Sequence, residues 1–345
     1  MAPFSAAASP PLDLLLAGCG VVGRAFLRAA APSVRAGRLR IVAVSDRSGT
    51  VHDPGGLDPS EVAAAKEARG LRDLGRRLLP WDGADAARFL SADAVVDLVS
   101  GDLSTADPGA SPLFAGLEAG KDAVAAEKSA LALFPAEIEA ARRRAGARLF
   151  ASATVAGGVP LLELLAGALR GSEVLEVAGA WNATSTFVLA RVEEGASAEE
   201  ALADARRLGF AEADTSSDLD GRDAAAKACI VSAAAFGRRI RLADVVRSGL
   251  ERLDADSLRA AARRGRRTRL VARVSAEGAR VALEPLPEDH SLAAAEGEAA
   301  VSIRTAGAGT VSLRGPGAGG PATASAVLND CLALAAARRR APLES

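Results

Sequence analysis

The stretch LLLAGCGVVGRAFLRAAA (14–31) constrains the fold most, because an apolar run, a glycine turn and a second apolar run follow one another directly. Gly18, Gly20 and Gly23 have the spacing G-x-G-x-x-G, which predicts a strand that turns into a helix at a dinucleotide site. The first glycine permits the tight turn, the second lets backbone approach a pyrophosphate, and the third lets helix pack on strand. Alone the pattern is weak, since glycine turns often join strand to helix where no ligand binds. The predicted cofactor contacts here are Gly18, Gly20, Val21, Val22 and Gly23.

A second apolar strand, LRIVAVSD (39–46), ends in an acid, Asp46. A doubly wound fold places the acid that binds the adenine ribose hydroxyls at about this point, so a dinucleotide site is the better interpretation. Asp46 favours NAD, because its charge would repel the 2′-phosphate of NADP. Arg47 beside it could bind that phosphate, so the choice between NAD and NADP stays open. The polar segment 46–91 that follows is predicted to be an excursion at the edge of the sheet.

Two further apolar runs, at 92–102 and 121–133, predict strands that lead into polar residues. In open α/β sheets, ligands bind outside the carboxyl ends of the strands. Ser100, Gly101 and Lys128 are therefore predicted to face the cofactor cleft. Position alone equally allows Lys128 to be a solvent-exposed loop residue.

The second half of the chain mixes strand and helix patterns. Strands are predicted at 172–184, 268–274, 279–284 and 301–305, and helices at 185–195, 197–209, 223–236 and 323–336. The glycine-rich stretch RGPGAGGPA (314–322) lacks the Lys-Ser/Thr ending of a phosphate loop and is predicted to be a turn before the last helix. The chain is therefore predicted to be α/β, with a Rossmann-type doubly wound nucleotide-binding domain and a second, α+β domain.

Charge and cysteine content exclude several classes of protein. The 345 residues include 42 Lys and Arg against 43 Asp and Glu, so neither a nucleic-acid nor an anionic-membrane partner is expected. No uninterrupted apolar segment approaches the roughly 20 residues needed to cross a bilayer. Cys19, Cys229 and Cys331 are odd in number and lack metal-ligand spacing, which predicts buried thiols in a reducing, cytoplasmic compartment.

The segment AEADTSSDLDGRDAAAK (211–227) concentrates charge before an apolar run. Five carboxylates and one lysine lie in it, and Asp223 and Lys227 are four positions apart. On a helix that starts near Gly221 these two would share a face. Charge runs between elements are usually solvated loops, so an active site here needs support from the rest of the chain.

The order of these motifs resembles that of homoserine dehydrogenase, over roughly residues 12 to 336. The segments that carry the resemblance are AGCGVVG, SDRSG followed by DPGGLD, the lysine of AAEKSAL, ASATVAGGVPLLELL, WNATSTFVL, LGFAEADTSSDLDGRDAAAK and GPGAGGPATASAVLND. That family reversibly reduces aspartate 4-semialdehyde to homoserine with NADH or NADPH, and its members are usually dimers. The resemblance therefore implies an NAD(P)-dependent enzyme of amino-acid biosynthesis with a small-molecule substrate.

The resemblance also implies a division of the chain, with the last helix returning to the nucleotide domain. A loose tail is expected at 1–11, and the dinucleotide-binding domain at 12–150 plus a returning helix at 323–337. Residues 151–322 are then the substrate-binding and dimerisation domain. The chain ends soon after that helix, so a monofunctional enzyme without a C-terminal regulatory module or feedback inhibition is expected.

Site residues follow from the resemblance position by position. Lys128 matches the family's catalytic lysine, Lys227 its second active-site lysine, and Asp223 and Glu212 the carboxylates around the substrate. Further substrate contacts match Asp218 near the amino group, Thr184 near the carboxylate, Ala183, and Phe210 where tyrosine is common. A pocket for homoserine needs acids and bases side by side, because the substrate carries one ammonium and one carboxylate.

Several positions depart from the family's pattern. Ser152 replaces a glutamate that helps to bind a monovalent cation in relatives. Serine is a poorer, neutral ligand, so a cation site near Val155 and Gly157 is doubtful here, and activity should depend little on sodium or potassium. Further departures are Ala183, Thr186 and Glu127, the last an acid beside the catalytic lysine. Two alternatives therefore stay open: a diverged dehydrogenase acting on another amino acid or semialdehyde, and a non-catalytic cofactor-binding relative.

Overall fold

Two β-sheets organise the structure, a computed structural model that describes residues 10–208, 215–251 and 253–340. The first sheet has the strand order β4-β3-β2-β1-β5-β6-β7. Its strands are β1 (Leu12–Ala17), β2 (Leu39–Asp46), β3 (Gly49–His52), β4 (Leu78–Leu79), β5 (Ala94–Asp97), β6 (Asp122–Ala125) and β7 (Leu149–Phe150). Strands β1, β2, β5, β6 and β7 are parallel, whereas β3 and β4 pair antiparallel at one edge. Strands β3 and β4 of the segment 46–91 thus lie at the sheet edge, as predicted, whereas its residues 83–89 pack on the central strand β1.

Helices cover both faces of the first sheet. In β1, Leu14 and Leu16 join one buried apolar cluster and Leu15 joins another, because successive side chains of a strand point to opposite faces. Strands buried on both sides read as continuous apolar runs, which is why the sequence showed them clearly. The helices of this half are α1 (Val21–Arg35), α2 (Pro59–Ala68), α3 (Gly83–Phe89), α4 (Ala110–Glu118), α5 (Ser129–Leu133) and α6 (Pro135–Ala145). The predicted doubly wound fold is confirmed.

The second sheet has the order β13-β12-β8-β10-β11-β9. Its strands are β8 (Val174–Ala180), β9 (Val246–Arg247), β10 (Arg266–Val274), β11 (Ala279–Pro287), β12 (Glu298–Thr305) and β13 (Thr310–Pro316). The helices of this half are α7 (Leu161–Ala166), α8 (Ala183–Glu193), α9 (Ala198–Arg207), α10 (Ser216–Leu219), α11 (Arg222–Phe236) and α12 (Ala255–Arg263). Helix α9 begins with a capping box, in which Ser197 and Glu200 each bond to the other's backbone N–H.

Several elements of the second half are absent from the sequence prediction, β13 and α12 among them. β13 extends into the glycine-rich stretch predicted to be a turn, and α12 was not predicted. β13 is an edge strand whose residues alternate between exposed and half-buried, so it lacks the apolar run that marked the central strands. Its position is fixed by antiparallel pairing with β12.

The last helix, α13 (Gly320–Arg340), returns to the first sheet. Its residues Ala324, Val327, Cys331 and Leu334 are fully buried in the same apolar cluster as Phe26 of α1. In the ranges that the structure describes, no helix combines the length and the apolar character needed to cross a membrane.

A buried carboxylate ties α13 to the short turn that precedes α7. Asp330, 1% exposed, accepts hydrogen bonds from the Ser152 N–H at 2.8 Å and the Ser152 hydroxyl at 2.7 Å. Burial raises the pKa of Asp330 to about 6, although both bonds from Ser152 oppose the rise. Ser152, predicted to weaken a cation site, is therefore engaged with an acid of the last helix.

Asp330→Asn is expected to stabilise the protein at neutral pH. Because the folded pKa lies above the unfolded value of about 4, the native acid confers stability below pH 4 that is lost as pH rises to 6. The amide accepts from the Ser152 N–H, donates to its hydroxyl and carries no charge. The free energy of unfolding in urea should rise by about 2 kcal/mol at pH 7.5 and change little at pH 4. Asp256→Asn, at a side chain 93% exposed, is the matched control, and a less stable Asp330→Asn at pH 7.5 would contradict the expectation.

Candidate active site

A cavity of about 420 Å³ lies where the carboxyl ends of β5 and β6 meet the start of α8 and α11. The nucleotide-side wall is formed by residues that follow β1, β5 and β6, namely Val22, Ser100, Gly101, Asp102, Glu127 and Lys128. The opposite wall is formed by Asn182, Ala183, Thr184, Asp218, Arg222, Asp223 and Lys227. This is the position at which open α/β sheets bind their ligands.

Helix α11 places two charged side chains in the cavity wall. It begins after Gly221, whose φ of +76° suits glycine better than any residue with a Cβ. Asp223 stands in the first turn, where the helix dipole favours a negative charge. Lys227 lies one turn further on the same face, and its Nζ is 2.8 Å from Asp223 Oδ2. The geometry that the spacing predicted is therefore present.

Asp223 is shared by two lysines from opposite walls. Its Oδ1 is 3.3 Å from Lys128 Nζ, and Lys227 Nζ also donates to the Trp181 carbonyl at 3.0 Å. The Asp223 side chain is 7% exposed. Burial would raise the pKa of Asp223, but Lys227 and Lys128 outweigh it and hold the pKa below its usual range. Asp223 is thus a buried, ionised carboxylate between two ammonium groups.

Asn182 links the acids of the cavity to the start of α8. Its Nδ2 donates to Asp218 Oδ1 and to Asp223 Oδ2, each at 2.7 Å, and its Oδ1 accepts from the Ser185 N–H at 2.7 Å. Asn182 was not among the predicted site residues. Its polar position between a strand and a helix was the one available signal, because its partners are 36 and 41 residues away.

Asp218 provides a second carboxylate in the cavity. Burial and the negative charge of Asp223 raise the pKa of Asp218, while hydrogen bonds from Asn182 and Thr184 and the charge of Lys227 work against the rise. An acid placed in this way gains from a positive group beside it. An ammonium on a ligand would provide that charge.

Lys128 follows β6 and precedes α5, and its side chain is 29% exposed. The charge of Asp223 raises the pKa of Lys128, although burial lowers it, and Glu127 adds to the rise. Glu127 itself is turned into α5, where Oε2 accepts from Ser129 N at 2.7 Å and Ser129 Oγ at 2.5 Å. The acid that departs from the family's pattern thus caps the helix that begins directly after the lysine.

The glycine turn fits a dinucleotide. A Cβ on Gly18 would lie 2.7 Å from the Leu98 carbonyl oxygen, and one on Gly23 would lie 2.5 Å from that of Gly18. A Cβ on Gly20 would meet no atom of the described residues within 4 Å. Gly18 and Gly23 therefore serve close packing, while open space at Gly20, before the start of α1, suits an approaching pyrophosphate.

Asp46 is already engaged by neighbouring side chains. It forms an ion pair with Lys66 of α2, and its Oδ1 accepts from Ser48 N at 2.7 Å and Ser48 Oγ at 2.6 Å. The Asp46 side chain is 8% exposed, whereas Arg47 is exposed. The lysine offsets the charge that would repel a 2′-phosphate, so the argument for NAD from Asp46 alone loses force.

The remaining predicted residues belong to the substrate site and to the doubtful cation site. Glu212 and Phe210 lie outside the described residues. Val155 is fully buried, and Gly157, with φ of +62°, packs against the backbone of Gly317. In the part of the chain that the structure describes, no three His, Cys, Asp or Glu side chains are grouped to hold a metal ion.

Gly317, Ala318 and Thr323 line the cavity, so the glycine-rich stretch contributes to a site that the sequence did not assign to it.

A parallel sheet with this glycine turn, and a lysine-walled cavity beside it, defines a NAD(P)-dependent oxidoreductase. Residues 160–332 match the family model described as homoserine dehydrogenase. The homoserine dehydrogenase of Mycobacterium tuberculosis is 35% identical over 297 residues, 80% of this chain and 67% of the relative. The chain belongs to the homoserine dehydrogenase family, which confirms the predicted resemblance.

Solved structures agree with this assignment. A putative homoserine dehydrogenase from Archaeoglobus fulgidus superposes with a TM-score of 0.83 at 27% identity, over 94% of this chain and 99% of the other. A hyperthermophilic archaeal homoserine dehydrogenase in complex with NADPH gives a TM-score of 0.82 at 27% identity, over 95% and 98% of the two chains. The likeness therefore extends over both sheets.

Proposed function

We propose that Lys128, Asp223 and Lys227 are the catalytic group with which this chain carries out the reversible NAD(P)-dependent reduction of L-aspartate 4-semialdehyde to L-homoserine. The supporting observation is the buried Asp223 carboxylate, 3.3 Å from Lys128 Nζ and 2.8 Å from Lys227 Nζ. One anion fixes both ammonium groups against the same cavity. Lys227 is further held by the Trp181 carbonyl, which leaves Lys128 the more accessible of the two.

Lys128 is the proposed proton donor. Reduction of the aldehyde turns its oxygen into an alkoxide, which needs a proton as charge develops. Lys128 gives that proton from its ammonium, and in the reverse direction its neutral amine takes the proton of the homoserine hydroxyl. Its raised pKa favours the ammonium form, so Lys128 is a better donor than base at neutral pH. A bound nicotinamide supplies the hydride in reduction and accepts it in oxidation.

The remaining cavity residues suit a zwitterion. Asp218 is proposed to bind the substrate ammonium, because its half-buried carboxyl gains from a positive neighbour. Thr184 and Ala183, at the start of α8, line the same cavity and are proposed to contact the substrate. Glu212 and Phe210 are proposed as further contacts on the resemblance alone.

The cofactor is proposed to bind across the first sheet. Its pyrophosphate is assigned to the turn at Gly18, Val21 and Gly23, with Gly20 giving the room. Ser100 and Gly101, which follow β5, are proposed to contact the nicotinamide end, since they line the cavity with Lys128. Asp46 and Arg47 are then at the adenine ribose, and their neighbours decide between NADH and NADPH.

Lys66→Ala is expected to shift the cofactor preference towards NADH. Without its ion pair to Lys66, Asp46 would repel a 2′-phosphate and accept hydrogen bonds from a ribose. The ratio of kcat/KM with NADPH to kcat/KM with NADH should fall by about tenfold, a change of roughly 1.4 kcal/mol. Arg69→Ala, which removes an exposed cation at the end of the same helix, is the control. An unchanged ratio in Lys66→Ala would contradict the expectation.

A homodimer in the cytoplasm, with little dependence on monovalent cations, completes the proposal. The second sheet has β13 at one edge and the exposed Val246 of β9 at the other, and either could pair with a second copy. All three cysteines lie in described ranges and are buried free thiols, which suits a reducing compartment. Ser152 gives both its donors to Asp330, in keeping with a weak cation site. We also propose the division of the chain into a dinucleotide-binding domain, 12–150 with the helix 323–337, and a substrate-binding and dimerisation domain, 151–322.

A turnover assay tests the proposed function. L-homoserine with NAD⁺ and with NADP⁺ is compared with a panel of other hydroxy and amino acids, and the reverse reaction is followed with L-aspartate 4-semialdehyde. Homoserine should give the highest kcat/KM of the panel. Absence of turnover with both cofactors would reject the proposal, and a better substrate in the panel would reject the assignment to homoserine.

A further inference from the structure

The cationic side chains in the cavity wall differ in how firmly other groups of the protein already bind them. Among the described lining residues these are Lys128, Lys227 and Arg222. Both lysines lie against Asp223, and Lys227 also donates to the Trp181 carbonyl. One buried anion and one carbonyl oxygen thus already hold the two ammonium groups. A carboxylate entering the cavity would have to compete with Asp223 for them.

Arg222 is placed differently. It is the first residue of α11, and its backbone N–H donates to Asp220 Oδ1 at 2.8 Å, which fixes the start of the helix. Its guanidinium is 3.5 Å from Asp220 Oδ2, and the side chain is 40% exposed. An ion pair of that length and exposure holds the guanidinium weakly. The planar fork of the arginine is therefore able to take a carboxylate with two parallel N–H···O bonds.

Arg222 stands at the cleft between the two sheets. It lines the cavity together with Asp102, which belongs to the segment between β5 and α4 on the nucleotide side. Two bonds from Ser104 chiefly lower the pKa of Asp102, and the charge of Arg222 contributes from across the cleft. Arg222 also immediately precedes Asp223, so the helix start that positions the catalytic carboxylate positions this guanidinium as well.

Charge balance then gives Arg222 a role. An amino-acid substrate brings one ammonium and one carboxylate, and Asp218 already offers an acid to the ammonium. We infer that Arg222 binds the α-carboxylate of the substrate and makes the site selective for substrates that carry one. This rests on the proposed function and assigns to Arg222 the carboxylate that the resemblance placed near Thr184. It also explains why a charged residue stands at the cavity while forming a weak ion pair within its own segment.

The test compares Arg222→Met and Arg222→Lys with wild type. KM for L-homoserine should rise about 10- to 100-fold in Arg222→Met, with kcat within about threefold, because the arginine binds ground and transition states alike. Arg222→Lys keeps the charge but loses the fork and should lie between. Arg241→Met is the matched control, since Arg241 is an exposed arginine paired with a nearby aspartate, Asp244, outside the cavity.

A second ligand separates carboxylate recognition from general effects. 3-Aminopropan-1-ol is homoserine without its carboxylate, and its inhibition constant against homoserine should be the same in wild type and Arg222→Met. An unchanged KM for homoserine in both Arg222 variants would overturn the inference, as would a parallel loss of affinity for 3-aminopropan-1-ol. Wild-type turnover of homoserine is measured first, and its absence would instead reject the proposed function on which the inference rests.

Discussion

Lys128→Ala is expected to lower kcat for homoserine oxidation and for semialdehyde reduction by about 10²–10⁴-fold, the usual contribution of a positioned proton donor. The alkoxide formed in reduction would lose the ammonium that Asp223 holds at the cavity wall, 3.3 Å from its carboxylate. The affinity for NADPH, followed by fluorescence titration, should change by less than about threefold, because the glycine turn lies on a different element. Steady-state rates in both directions are the measurement.

Lys227→Ala is the comparison that identifies the donor. Its ammonium is anchored by Asp223 and the Trp181 carbonyl and is 13% exposed, against 29% for Lys128. Activity that survives in Lys128→Ala but not in Lys227→Ala would transfer the proton-transfer role to Lys227. Activity that survives in both variants would remove lysine from the reaction.

Asp223→Asn is expected to lower the maximum of kcat/KM for homoserine oxidation by about 100-fold, because both ammonium groups lose the anion that holds them at the cavity. It is also expected to move the pH profile towards acid. Asp223 is the main cause of the raised pKa of Lys128, so its neutralisation lowers that pKa. The neutral amine that oxidation needs then forms at lower pH, and the ammonium that reduction needs is lost at lower pH. The rising limb of oxidation and the falling limb of reduction should both shift towards lower pH.

Asp218→Asn is the control for Asp223→Asn, since it removes a carboxylate from the same cavity without breaking an ion pair to either lysine. It should raise KM for homoserine through the lost ammonium contact and shift the pH profile less. A profile of Asp223→Asn that coincides with wild type would show that Asp223 does not set the titration of the catalytic lysine.

The sequence predicts elements better where local pattern and tertiary role agree. The strand, turn and helix at 14–31 are such a case, because apolar runs and glycine spacing arise from the same burial that the fold provides. β13 was missed because an edge strand with one exposed and one half-buried face needs no apolar pattern. Asp46 was interpreted as open to a ribose, yet its partner Lys66 lies 20 residues away on α2, within the polar segment 46–91.

The candidate site shows the same limit more sharply. Asp223 and Lys227 were predicted as a pair because four residues on a helix fix their geometry. Asn182 and Arg222 were not assigned to the site, because their roles depend on which ends of strands and helices the fold brings to one cavity. Contacts between residues far apart in the sequence leave no local pattern, whereas contacts along one helix give a recognisable spacing.

The return of α13 to the first sheet also has a consequence for synthesis of the chain. Val327, Cys331 and Leu334 fill the apolar cluster that Leu14 and Phe26 begin, so the first sheet cannot complete its core until the ribosome has added the final helix. Chains emerge at about 5–20 residues per second, and residues 151–319 pass in the interval. The apolar surface that α13 later covers therefore stays exposed for roughly ten seconds or more, which makes the nascent first half a natural client for a chaperone.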